Sequence, residues 1–274
     1  MGGIDGNDTT RGPFPRRLAD TVEAVAVFCA VYAATAVGGP LVAAPARAVL
    51  GDQAGATWTV GHEVPRLLSH LGGLATAVLL LGVYLRWRTR GRLSDIALDA
   101  PLPWRSAGRG LLVGLLLGAG TLALAPSGPG GVGPTRVVAL GVLVLAGLLA
   151  RGTAEELMAR GWLLHALARS LPLPLAIALQ ALLSAFALVL LGEVRAVAGL
   201  VAAFGFGVFA ALYVVWDRTL WGVCALHGAF AFTAGPLAAA FGRAADAPVA
   251  ALPPVLVGIV LLTAALRRRG GLPR

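Results

Sequence analysis

Four ionised side chains, Arg151, Glu155, Glu156 and Arg160, fall within the stretch Arg151-Gly-Thr-Ala-Glu-Glu-Leu-Met-Ala-Arg160 of a chain that is otherwise mostly hydrocarbon. Read as a helix, Arg151 with Glu155 and Glu156 with Arg160 both stand at i,i+4, so each arginine lies over one carboxylate. Adjacent Glu155 and Glu156 differ by about 100° around such a helix, so one can be held by its arginine while the other points elsewhere. A carboxylate left free in a poorly hydrated pocket holds its proton more tightly and can serve as a general base. An ion-paired helix end at the bilayer surface has the same spacing, and spacing alone leaves both readings open.

These charges matter because of what surrounds them. Of the 274 residues 58% are hydrophobic and 13% charged, and mean hydropathy is +0.82; soluble domains carry about a quarter charged residues. The expectation is an all-α, polytopic membrane helix bundle, in which each intramembrane charge costs at least about 2.5 kcal/mol and survives by pairing or by facing a wet cavity. Net charge is +9, and all 22 basic residues are arginine. They sit between apolar spans and form no single basic face, so no nucleic-acid partner is expected. Cys29 and Cys224 lie in apolar runs and read as small buried hydrophobes, too few for a disulfide framework or a structural zinc.

Eight spans are predicted, at about 18–37, 64–85, 109–125, 136–169, 175–191, 196–215, 220–240 and 249–266. Residues 1–17 read as a disordered cytoplasmic tail, 18–266 as the eight-helix domain and 267–274 as a basic cytoplasmic tail, with a Pro/Gly-rich loop running through Gly51 and a turn at 127–134. Gly199, Ala203, Gly207 and Ala211 form a small-residue ridge suited to close helix packing. With the termini inside, cytoplasmic segments hold Arg11, Arg16, Arg17, Arg86, Arg88, Arg90, Arg92, Arg105, Arg109, Arg169, Arg218, Arg267, Arg268, Arg269 and Arg274, whereas the other side holds only Arg47, Arg66, Arg136, Arg195 and Arg243. That bias predicts cytoplasmic termini in a bacterial plasma membrane, with the Glu155 end of span 4 toward the cytoplasmic interface.

Glu155-Glu156-x-x-x-Arg160-Gly161, followed later by Gly205-Phe-Gly, Asp217-Arg-Thr-Leu-Trp221 and Ala225-Leu-His227, resembles the CPBP (CAAX-protease/Abi) family of intramembrane endopeptidases over roughly residues 140–235. The resemblance implies that Glu155 activates a water, that Glu156 and Arg160 are a positioning pair and that His227 is an electrophilic or oxyanion donor. It implies a peptide or protein substrate at the cytoplasmic side of the bilayer, with membrane lipid as the other partner.

Two positions depart from the family pattern. Its Phe-x-x-x-His motif places a histidine where Phe186 leads to Leu190, and its Asn or Asp four residues after the last histidine is Ala231 here. Family names point to zinc, yet a catalytic zinc takes three protein ligands, and Glu155, Glu156 and His227 without the span-5 histidine look an incomplete set. No cofactor is therefore assigned. His62, His70 and His165 read as interfacial residues. The rival functions are a catalytically silent scaffold or partner-binding (immunity-like) protein using the same cavity, and a small transporter using the cluster as a proton relay; no pairing of broken spans in the two halves supports the latter.

Overall fold

The computed structural model describes residues 14–50, 58–96, 100–128, 131–243 and 248–268. The tail at 1–13, the segment at 51–57 and the end at 269–274 lie outside these, so the two tail expectations and part of the first loop do too. The long helices are α1 (Phe14–Leu50), α2 (Val60–Tyr84), α3 (Pro103–Leu124) and α4 (Pro134–Glu156). α4 runs on through a π-helical stretch, Leu157–Leu163, into α5 (Leu164–Ser170). Then come α6 (Leu173–Leu190), α7 (Val197–Asp217), α8 (Leu220–Phe232) with a π-helical end at Thr233–Leu237, the short α9 (Ala238–Ala240) and α10 (Pro248–Arg268). Among the described residues eight helical stretches are long and apolar enough to cross a membrane, and they form an all-α, multi-pass bundle. Helices are the expected solution, because in hydrocarbon every backbone N–H and C=O must be satisfied within its own segment.

Three expectations are corrected by the packing. Residues 38–50 were expected to form a loop, but α1 continues through Gly38, Gly39, Pro40 and Pro45 to Leu50. The glycines explain it: a Cβ at Gly38 would stand 2.4 Å from Thr76 Oγ1, and one at Gly39 2.5 Å from the Ser69 carbonyl, both on α2. Such close apposition holds the helix across residues that would break it in water. Cys29, expected to be buried, is exposed on α1, whereas Cys224 is buried. The small-residue ridge of α7 is split, with Gly207 meeting Ala181 of α6 and Gly199 standing only over Val194 of its own preceding turn.

The tightest helix pair is α3 with α8. A Cβ on Gly110 would lie 1.8 Å from the Gly222 carbonyl oxygen, and one on Gly114 2.3 Å from that of Leu226. Gly110→Leu is expected to push α8 away and destabilise the fold by at least about 1–3 kcal/mol. Gly108→Leu, at a position with no neighbouring atom within 4 Å, should stay within about 0.5 kcal/mol of wild type. Thermal unfolding of both in detergent checks the contrast, and equal midpoints would refute this packing. The same helix α8 carries His227, so α3 is the buttress that fixes its depth.

Candidate active site

The α4–α5 stretch from Pro134 to Ser170 is one continuous helical rod, about 55 Å long at 1.5 Å per residue. Glu155 and Glu156 lie near its middle, with the π-helical stretch beginning one residue after Glu156. Such wide turns are frequent at functional sites because they open the backbone ladder. One freed carbonyl, that of Arg160, accepts a hydrogen bond from His165 Nδ1 at 3.0 Å, which gives His165 a structural task away from the cluster. His62, bonded to Glu63, also lies outside it.

The predicted ion pairs form on both sides. Arg151 Nε donates to Glu155 Oε1 at 2.8 Å and Arg160 Nη1 to Glu156 Oε1 at 2.9 Å. Neither glutamate is free of its arginine, contrary to the reading in which one carboxylate points away. Glu156 is fully buried and Arg160 nearly so, and Arg160 Nη2 also donates to the Gly207 carbonyl of α7 at 3.3 Å. This pair ties α4 to α7 at the bottom of the cluster.

His227 joins the two glutamates. Its Nδ1 stands 2.6 Å from Glu156 Oε1 and its Nε2 3.7 Å from Glu155 Oε2. Because Glu156 Oε1 already accepts from Arg160 it is an acceptor, so Nδ1 carries the proton and donates; in the neutral ring Nε2 is then an acceptor facing Glu155. Two glycines let α8 come this close to α4: a Cβ at Gly152 would stand 3.2 Å from His227 Cβ, and one at Gly228 2.7 Å from Leu149 Cα. Phe206 packs edge-on against the imidazole with centroids 4.9 Å apart, so the ring is fixed on its flank as well as at Nδ1.

Around the cluster is a cavity of about 390 Å³, lined by Tyr32, Arg66, Arg151, Gly152, Glu155, Arg160, Ser184, Leu188, Glu193, Ala203, Phe206, His227, Ala231, Gly235 and Pro236 among others. Ala231, the position of the family's Asn or Asp, faces it. Leu190 does not: it is 86% exposed and Phe186 48% exposed. The cavity-facing pair at the same i,i+4 spacing is Ser184 and Leu188, so the apolar replacement for the missing histidine is Leu188 by position. Two further polar residues that the motifs did not single out act at the cavity, Glu193 in its lining and Gln180 behind Ser184. Glu193, from the turn between α6 and α7, reaches Arg151 and shares it with Glu155; Gln180, fully buried in α6, donates to Ser184 Oγ at 3.0 Å. The sequence does mark Gln180, as the one amide in a span made mostly of Leu, Ala, Ile and Val, which in a membrane must face a polar partner.

The donor set does not suit zinc. Nδ1 of His227 and Oε1 of both glutamates are spent on neighbours, which leaves Glu155 Oε2 and His227 Nε2 as a facing pair; Glu156 Oε2 is buried without a partner. Among the described residues no group of three or more His, Cys, Asp and Glu is arranged as metal ligands. A catalytic zinc takes three, so the residues present do not fit it and no step is derived through a metal.

Fold and site together define a multi-pass helical membrane protein with a buried acid–base cluster of two glutamates, two arginines and one histidine. The family model described as Rce1-like, type II CAAX prenyl endopeptidase Rce1-like, matches residues 137–233, from the start of α4 into the end of α8. That match supports the CPBP/CAAX-protease family for this chain, and the matched stretch contains Glu155, Glu156, Arg160 and His227. No curated protein and no solved structure matches the chain.

Proposed function

We propose that the protein is an intramembrane endopeptidase of the CPBP/CAAX-protease type in a bacterial plasma membrane, hydrolysing a peptide bond of a membrane-associated substrate. The observation that carries this reading is the convergence of Glu155 Oε2 and His227 Nε2, 3.7 Å apart, in one cavity. One water can donate an O–H to each of these acceptors, which leaves an oxygen lone pair directed at a substrate carbonyl. As the water oxygen bonds to the carbonyl carbon, one of its protons passes to Glu155 Oε2; the C–N bond then breaks as that proton is delivered to the leaving amine, giving a carboxylic acid, which ionises in water, and an amine. Glu156 and Arg160 are positioning residues: Arg160 Nη1 donates to Glu156 Oε1, and Glu156, accepting from His227 Nδ1, keeps Nε2 of His227 as the acceptor. His227 thus orients the water instead of acting as the electrophilic or oxyanion donor that the family resemblance implied, and the Ser184 hydroxyl is the neutral donor available to the oxyanion.

Glu155→Gln tests this directly, because it keeps volume and removes the proton acceptor. Cleavage of a membrane-proximal peptide fusion is expected to fall at least about 10²-fold with the folded protein retained, the scale of one acid–base group. Unchanged turnover would end the assignment of Glu155 as the base. A folded wild type with no cleavage would favour the silent scaffold, for which the apolar Leu188 and Ala231 in the cavity are the specific observation.

A further inference from the structure

The cavity has a direction, and the chain termini give it a side. The eight crossings alternate, so the ends of the helices near Leu50, Val60, Leu124, Pro134, Leu190, Val197, Ala240 and Pro248 share the face opposite the termini. Arg66 stands six residues into α2, Leu188 two residues before the end of α6, Glu193 in the following turn, and Gly235 with Pro236 near the end of the α8–α9 stretch; all line the cavity. Its floor is Arg160 and His227. Below that floor the bundle is closed by Trp162, Leu163, Leu167 and Tyr213, each at most 3% exposed. Among the described residues of the connections on the terminal side, at 85–96, 100–102, 171–172 and 218–219, none contributes to the lining. Cytoplasmic termini and a cytoplasmic mouth, both expected from sequence, therefore exclude one another.

The arginines decide between them. Among the described residues twelve arginines, from Arg16 to Arg268, stand on the terminal side and five on the other, and short loops rich in arginine stay in the cytoplasm. We infer that the cavity opens to the non-cytoplasmic face, so that the substrate class is a peptide bond exposed outside the cytoplasm, in a secreted or membrane-anchored chain after translocation, and not the C-terminal peptide of a cytoplasmic protein. The inference rests on the protease reading for the word substrate, but the orientation of the cavity stands on geometry and charge alone. Charge at the mouth suits an extended, polar backbone: Arg66 and Glu193 flank it with opposite signs, and Gly152, Ala203 and Ala231 leave the walls low.

Single cysteines read the orientation without any need for activity. In a Cys29→Ser, Cys224→Ala background, Arg195→Cys marks the turn at the mouth, Ala203→Cys the cavity wall, and Arg90→Cys the opposite face; Arg195 and Arg90 are exposed, so these changes leave the fold intact. Intact cells are treated with a charged, membrane-impermeant maleimide. Arg195→Cys and Ala203→Cys are expected to react, and Arg90→Cys to react at least about tenfold more after permeabilisation. Reaction of Arg90→Cys in intact cells with Arg195→Cys shielded until lysis overturns the inference, as does an Ala203→Cys that reacts only after lysis. Outward labelling in a protein that cleaves nothing would leave the orientation standing and count only against the peptidase.

Discussion

Arg160→Ala is expected to destabilise the protein by about 3–5 kcal/mol, the usual cost of breaking a buried ion pair from one side. Arg160 is 3% exposed and Glu156 fully buried, and Glu156 Oε1 serves both Arg160 and His227. Without the guanidinium, a buried carboxyl group stays in a dry helix interface with one imidazole N–H as its only donor, and its other oxygen already lacks a partner. Glu156→Gln should cost less, about 1–3 kcal/mol, because the amide is neutral and fills the same volume. The double change Glu156→Leu with Arg160→Met should recover much of the loss, since replacing both partners by apolar groups removes two desolvation penalties at once. It should nevertheless abolish cleavage, because His227 Nδ1 then has no acceptor and the ring loses its tautomer. Unfolding in detergent and the cleavage assay on one set of samples separate the two effects. An Arg160→Ala protein as stable as wild type would mean that the pair is hydrated, and the positioning role would go with it.

The parts legible in the sequence are those in which a cost forces a pattern. Charges in hydrocarbon must pair, so Arg151–Glu155 and Glu156–Arg160 could be drawn from spacing, and His227 followed from the family resemblance. Span number followed from length and hydropathy. What was not legible is which face of a uniformly apolar helix turns inward. Along Leu173–Leu190 nearly every position is apolar, so hydropathy does not mark one side, and a motif laid on that segment can be slid. A slide of two residues rotates the side chain about 200°, which is the difference between Leu190 on the exposed surface and Leu188 in the cavity. Gln180 was the one residue in that span able to set the register: its buried amide pairs with Ser184, and Leu188 lies on the same stripe four residues on. Long-range pairings such as Arg151 with Glu193 were illegible for another reason. They depend on a turn folding back over a helix end, and short-range spacing carries no trace of it.

The corrected register changes what should revive or strengthen catalysis. Leu188→His with Ala231→Asn is expected to raise cleavage of a membrane-proximal peptide fusion by 10²–10⁴-fold, because it returns a second acid–base group and a second amide donor to a cavity already formed. Both side chains enter open volume beside polar neighbours: position 188 lies near Glu193 at the mouth, and position 231 is one helical turn past His227 on the same face of α8. Leu190→His is the control. At 86% exposure it sits on the outer surface of the bundle, and it should leave turnover where it was. Glu155→Gln placed in the double variant should return the rate to baseline, since the added groups assist a base and do not replace it. A scaffold behaves otherwise: a histidine at 188 then introduces a polar group without a partner, lowers stability by roughly 1–3 kcal/mol and adds no turnover. Destabilisation without cleavage at position 188 would end the peptidase reading, and an equal gain from Leu190→His would show that the cavity is not where the reaction occurs.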